Sequence, residues 1–428
     1  MTYDAYDPIG RFPDRPASGS NRPPATIANV EHLLAHHGIT VRYNEVKKRD
    51  EIEIPGRTGS ADNVDNVTLG YIVSLAAKHH MPTGTVASLL EVIANKNAYN
   101  PVRDWILSRP WDGVDRFPAL LAAICEREGF PPELKAVLIR KWLRSAAAAH
   151  TVENFRTRGV LTLQGPQGAG KSSFVKSLIG DKALADSAIK LGHHLDAANK
   201  DSLLGAICYA IVELGELDSS IKKDMARLKG FLTDDFDRLR RPYDRREASY
   251  PRRTVFAATV NETQFLMDST GNTRFWTIPV VSLDWAHGVD TQQLFAQAAA
   301  EVASGAAWWL DAAEEAALEG TNARHEVASP AAELLADAVA GEGEKADRVE
   351  ALTASEVARR LDLPSTTGAA REMGAALRRL LGEPKKIRGI YKWRIAWKAA
   401  DAKGTMPEKT KALLANDNAA VSQADDVY

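Results

Sequence analysis

Eight consecutive residues, Gly165-Pro166-Gln167-Gly168-Ala169-Gly170-Lys171-Ser172, have the types and spacing to hold a phosphate. Their glycines let the backbone wrap closely enough for amide hydrogens to point at phosphate oxygens, and a helix following them turns its N-terminus the same way. Lys171 is placed to neutralise β- and γ-phosphates, and Ser172 to offer its hydroxyl to Mg²⁺. The pattern G-x-x-x-x-G-K-[ST] is complete. Its flanks also fit, with the apolar run GVLTLQG before it and the helical SSFVKSLIG after it. The expectation is a nucleoside triphosphate held by residues 165–173, Ser173 included.

Such a loop needs an acid at the end of a neighbouring strand. AICYAIVELGELD supplies Glu213 after an apolar run and Glu216 three residues on. One carboxylate can join the metal shell while the other polarises an attacking water. Which takes which role stays open, and either can instead cap the next helix. TVFAATVN then ends in Asn261, whose amide can orient that water or simply form a turn.

Between acid and amide lies a local excess of positive charge. Lys222 to Arg253 holds eleven Lys and Arg against six Asp and Glu, in a chain of net charge −2. RRPYDRREASYPRR has the outline of a hairpin, with Arg245 and Arg246 near the tip and Tyr243 and Tyr250 on its sides. Basic groups track phosphates and aromatics stack on bases, so Arg240, Arg241, Tyr243, Arg245, Arg246, Arg252 and Arg253 are candidate DNA contacts. A solvated charged face is the plainer alternative.

The elements that must position these groups are legible in outline. Residues 1–25, rich in Pro, Gly, Ser and Arg, read as a flexible tail. Residues 26–125 read as a small mixed domain: a helix closed by Gly38, two strands around KKRD, then helical periods through Ala98. Residues 126–335 carry the alternating short apolar strands and helices of a parallel α/β sheet, with Leu203 to Val212 expected as a buried strand. WDGVDR offers no donor–acceptor logic, and Trp308–Trp309 reads as core packing. Residues 336–349 read as a charged linker. Residues 350–398 form two helices and a hairpin around a glycine, the outline of a winged helix, and 399–428 read as a disordered tail. There, Arg378, Arg379, Lys385 and Lys386 are candidate duplex contacts, although such modules also dock proteins.

Composition excludes several classes. Two distant cysteines, Cys125 and Cys208, make neither a disulfide framework nor a metal motif, which favours a reducing, cytoplasmic setting. His79–His80 and His193–His194 lack partners at zinc-ligand spacing. The first residues show no signal-peptide pattern, and no apolar run approaches the roughly 20 residues of a membrane span.

The order of phosphate loop, acid, basic segment and strand-ending Asn resembles the superfamily 3 helicases, a branch of AAA+ ATPases found in viruses and mobile elements. The strings NAYNPVRDWILSRPWDGVDRF, VELGELD, LTDDFDRLRRPYDR and DSTGNTRFWTIPV resemble the virulence-associated E family of phage and genomic-island proteins, over roughly residues 27–325. The resemblance implies an α/β fold: an AAA+ P-loop ATPase core with a parallel sheet, a small mixed N-terminal domain and a C-terminal winged-helix-like domain. It makes Lys171 and Ser172 the Walker A pair, Glu213 and Glu216 the Walker B acids and Asn261 the sensor. The two acids are separated here by Leu214 and Gly215, whereas many superfamily 3 members have them adjacent. Arg274, in GNTRFW, falls where an arginine finger would reach a neighbouring subunit's nucleotide; a structural salt bridge is the alternative. The implied partners are ATP, Mg²⁺, single-stranded DNA in a central channel, further copies in a ring, expected as a hexamer, and a primase, since many relatives carry one upstream and none is expected within this chain. The implied activity is ATP-driven unwinding or translocation. A nucleotide-gated DNA-binding initiator is the reading from another class. A small-molecule kinase would explain neither Arg274 nor the basic hairpin.

Overall fold

The computed structural model describes residues 12–15, 18, 22–56, 64–156, 158–196, 198–215, 230–232, 236–239, 248–263, 265–266, 272–325, 330–340 and 346–398. Two compact units divide the chain, residues 1–326 and 327–428.

In the first unit, α1 (Ile27–His36), the hairpin β1 (Thr40–Asn44) and β2 (Arg49–Glu53), α2 (Val64–Lys78) and α3 (Val86–Lys96) enclose a small core around Val30, Leu33, Ile72, Leu90 and Ile93. Phe12 is buried in that core, and Asn29 holds the backbone of Asp14 and Pro24, so part of the segment expected as a loose tail is anchored. The expected boundary at 125 does not match the packing. Helices α4 (Pro101–Ile106) and α5 (Phe117–Ala122) and strand β3 (Ile124–Glu126) contribute Val102, Ile106, Phe117, Leu120 and Ile124 to the larger core.

That larger core surrounds a six-stranded sheet. Its strands are β3, β4 (Val160–Gln164), β5 (Ile189–His193), β6 (Ile211–Leu214), β9 (Val255–Val260) and β10 (Phe275–Leu283). The order is β3-β10-β4-β9-β6-β5, parallel except that β3 runs antiparallel to β10. Every residue of β4 and of β6 is buried, as expected for strands covered on both faces. Helices α6 (Pro132–Thr151), α7 (Lys171–Ser177), α8 (Lys182–Ala188), α9 (Lys200–Ile207), α10 (Thr291–Ala303) and α11 (Ala312–Asn322) belong to the same unit. Ala146 to Ala149 are buried in α6, and Trp142 donates its indole N–H to the Phe256 carbonyl at 2.8 Å. Leu203 to Ile207, expected in a strand, lies in α9. The Asn199 side chain accepts from Asp201 and Ser202 N–H groups and starts the helix, leaving only Ile211–Leu214 as strand. A separate two-stranded sheet pairs β7 (Phe236–Leu239) with β8 (Ala248–Pro251) antiparallel, with Asp237 opposite Tyr250.

The second unit comprises α12 (Pro330–Ala338), β11 (Ala346–Leu352), α13 (Ala354–Arg360), α14 (Thr367–Leu381), β12 (Lys385–Ile387) and β13 (Ile390–Lys398). Its strands order as β11-β13-β12. The two helices and hairpin expected from the sequence are present, and Arg388 and Gly389 both take positive φ in the tight turn. The segment 336–349, expected as a linker, instead contains the end of α12 and the start of β11. Leu335 and Val339 pack with Val357, Met373, Leu377 and Trp393, and Val349 pairs with Ala396. Of the charges that suggested a linker, Asp347 and Arg348 lie on an exposed edge strand.

Candidate functional site

Strand β4 ends at Gln164 and the chain turns through residues 165–170 into α7. Two neighbouring strands fix that turn. Gly165 donates its N–H to the Val260 carbonyl at 3.0 Å, and Leu283 N donates to the Ala169 carbonyl at 2.8 Å. The glycines are needed where they stand. A Cβ on Gly165 would lie 2.4 Å from the Val280 carbonyl oxygen, and Gly168 and Gly170 have φ near +83° and +85°.

Lys171 is buried, its ammonium 2.8 Å from each of the Gly165 and Pro166 carbonyls and from Asn261 Oδ1. Burial pulls its pKa below the ordinary lysine value, while the Glu213 carboxylate acts the other way. Glu213 is 1% exposed and accepts from three sides. The Ser172 hydroxyl donates to Oε1 at 2.8 Å, the Thr259 hydroxyl to the same oxygen, and Gly192 N–H to Oε2 at 2.6 Å. Because β9 lies between β4 and β6, Asn261 sits between the loop and Glu213. Strand order thus brings Lys171, Ser172, Glu213 and Asn261 to one cleft of about 990 Å³ lined by residues 167–173. Gly165 and Pro166 form the root of its loop. Glu216 lies outside the described residues.

Sequence reasoning missed several groups in this cleft. Thr259 and the Gly192 amide orient Glu213, and Leu191, His194, Glu262 and Trp285 line the walls. Thr259 had a signal, since it stands two residues before Asn261 on the same side of β9. Leu191 and Gly192 belong to β5, and His194, Glu262 and Trp285 to loops that the fold brings in. The oxygen donors of Ser172 and Glu213 suit a hard divalent cation such as Mg²⁺.

The basic candidates divide. Arg240, Arg241, Tyr243, Arg245 and Arg246 lie outside the described residues. Arg252 is 1% exposed, stacks over Phe231 and Phe256 and donates to the Phe231 carbonyl at 3.0 Å. Arg253 pairs with Glu45 at 3.0 Å. Both are packed at the root of the hairpin, and their charge is spent within the fold. Summing charge along the chain did not see that packing. Tyr250 also faces inward, with Lys48 Nζ 5.6 Å from its ring. Arg274 ends a short 3₁₀ turn before β10 and makes no ion pair with a described residue. In the second unit, Arg378, Arg379, Lys385 and Lys386 are exposed, with Arg378 3.5 Å from Glu383.

The WDGVDR segment has a structural logic. Gln292 Nε2 donates to the Ile106 and Arg109 carbonyls at 2.9 and 3.0 Å. Gln293 exchanges bonds with Pro110 and Asp112, Gln297 does the same with Arg116 N and Asp115, and Arg109 forks onto Asp290. Three glutamines on α10 therefore hold the strap's backbone. Trp308 packs on the core as expected, but Trp309 is 46% exposed.

Residues 106–327 match the virulence-associated protein E-like domain. The chain belongs to that family. The family span starts within α4 and contains the strap, the whole large sheet and the cleft. Among solved structures, the chain is similar to the apo structure of the NrS-1 C-terminal region, with 16% identity over 86% of this chain and 98% of that one, at a TM-score of 0.36. An A-form apo structure of the same region aligns with 18% identity over 72% of this chain and 78% of that one, at 0.34. Likeness at that level fixes neither fold nor function. No curated protein matches the sequence. No helix among the described residues is long and apolar enough to cross a membrane.

Proposed function

We propose that the protein is an ATP-driven, Mg²⁺-dependent DNA helicase or translocase of a phage or integrated element, acting as a ring in replication. The observation that carries this reading is the meeting of Lys171, Ser172, Glu213 and Asn261 in one cleft, from the ends of three adjacent parallel strands. Lys171 would move from its carbonyl partners to the β- and γ-phosphates, and the loop amides would hold phosphate oxygens. Ser172 and Glu213 would hold Mg²⁺, which would draw charge from the phosphates. Asn261 would orient the attacking water, with Glu213 or Glu216 as its base.

Arg274 supports an intersubunit site. Phe275 pairs with Val160, at the end of β4 opposite the phosphate loop. The five residues of β4 separate Arg274 from its own loop by on the order of 15 Å. A finger role therefore requires a neighbouring copy. Arg240, Arg241, Tyr243, Arg245 and Arg246, which follow β7 and precede β8 in the sequence, would carry the DNA contact. A second reading, a nucleotide-gated initiator, is favoured by the exposed Arg378, Arg379, Lys385 and Lys386 on a winged-helix-like unit.

Strand displacement on a forked DNA separates the two readings. The motor reading expects ATP-dependent displacement by the wild type and none by Lys171→Ala. Slow, DNA-independent ATPase with site-specific duplex binding would favour the initiator. Mixing Arg274→Ala with Lys171→Ala protein should restore part of the ATPase if sites are shared. A mixture no better than either variant alone would remove the shared-site proposal.

A further inference from the structure

The cleft at the phosphate loop continues into a second cavity of about 580 Å³, and Ser173, Leu191 and Trp285 line both. The second cavity lies between the C-terminal part of α7 and the segment after β10. Its walls are fixed. The bond from Leu283 N to the Ala169 carbonyl ties the end of β10 to the phosphate loop just before Trp285. Gly180 N donates to Thr291 Oγ1 at 2.8 Å and closes the far end.

His287 is held on both nitrogens. Its Nδ1 accepts the Val289 N–H at 3.1 Å, which leaves the proton on Nε2, 3.2 Å from Ser177 Oγ. That hydroxyl in turn donates to the Phe174 carbonyl at 2.8 Å. Burial holds the imidazole below the usual histidine range, in keeping with a neutral ring. Trp285 differs from these neighbours. It is 57% exposed, yet it stands beside the phosphate loop, with Cδ1 3.5 Å from where a Cβ on Gly170 would lie. An indole face left in water at the junction of a phosphate loop and a preformed cavity is suited to a flat aromatic ligand.

We propose that the cavity bounded by Ser177, Trp285 and His287 takes the nucleobase and ribose of the bound nucleotide, a purine stacked on Trp285. The inference rests on the reading of residues 165–172 as a triphosphate site. The triphosphate would lie along the loop, and the base would cover the indole across Ser173 and Leu191. A purine offers the larger face, so ATP and GTP should bind more tightly than CTP and UTP.

The test is calorimetric titration of the full chain with the four nucleoside triphosphates and with inorganic tripolyphosphate. Trp285→Ala should weaken ATP about tenfold, within the range of one base–aromatic stack, and leave tripolyphosphate unchanged. Trp285→Phe should recover most of the loss. Lys171→Ala should weaken both ligands. Unchanged ATP affinity in Trp285→Ala would overturn the base pocket and leave the phosphate site standing, as would an equal loss of ATP and tripolyphosphate. Equal binding of purines and pyrimidines would overturn the stacked purine. A wild-type protein that binds neither ATP nor tripolyphosphate would overturn the phosphate reading, and the pocket with it.

Discussion

At Glu213, three donors from three different elements converge on one buried carboxylate: the Ser172 hydroxyl, the Thr259 hydroxyl and the Gly192 amide. A glutamine there can turn its NH₂ toward the two hydroxyls, which are able to reverse and accept, so the fold should tolerate the change. Glu213→Gln is expected to retain nucleotide binding and lose about a hundredfold in hydrolysis, read by calorimetry beside a phosphate-release assay. Loss of both together would mean that the carboxylate acts on the loop's structure. Gly165→Ala tests the close approach of β10. A Cβ 2.4 Å from the Val280 carbonyl must push backbone apart, at a cost of about 1–3 kcal/mol, measured as a lower urea midpoint; an unchanged midpoint would contradict it. Groups in the phosphate loop were legible because their chemistry is contiguous in sequence. Thr259 had only its two-residue spacing from Asn261 to mark it, Trp285 acquires meaning only through strand order, and Arg252 was misread because its charge says nothing about the Phe231 and Phe256 rings it packs against.

Among the elements, the strap between α4 and α5 and the helix α10 that reads it form one unit. Gln292 supplies donors to carbonyls that the strap's irregular backbone leaves without secondary-structure partners. Gln292→Leu removes those donors while keeping the size of the side chain. The expected cost is about 1–3 kcal/mol, seen as an earlier urea transition; an unchanged transition would mean that the strap is held elsewhere. WDGVDRF was recognisable as a family string, but its partner lies some 180 residues downstream, with |i−j| of 181 for the Asp112–Gln293 bond. Strands β4 and β9 were legible from short apolar runs between turn signals. Helix α9 was not, since the apolar run Leu203–Val212 crosses its end and only the Asn199 cap marks its start. Strand β11 was hidden for the opposite reason, because an exposed edge strand carries the composition of a linker.

For the whole molecule, acid should be destabilising in a defined window. His150 is buried, accepts the Asn100 amide N–H at Nδ1 across 3.1 Å, and has its pKa pushed down to about 3 by burial, with Arg253, Lys48 and Arg103 adding to it. In the unfolded chain the group titrates near 6.5, so between 6.5 and about 3 the unfolded state binds a proton that the folded state does not. The stabilisation is complete above 6.5 and is lost as pH falls through that range. Burial lowers His37, His79, His193, His287 and His325 too, and they add to the slope. The urea midpoint should therefore fall steadily from pH 7 to pH 5, less so in His150→Gln; a flat profile would contradict the buried, neutral histidines.

All of the proposed chemistry depends on the cleft at Lys171 turning over nucleotide. The most direct measurement is Mg²⁺-dependent ATP hydrolysis by the full chain, with and without single-stranded DNA, for the wild type and Lys171→Ala. The account predicts hydrolysis that DNA stimulates and that Lys171→Ala abolishes. Wild-type protein that fails to hydrolyse ATP, or a Lys171→Ala variant that hydrolyses it as fast, would contradict it.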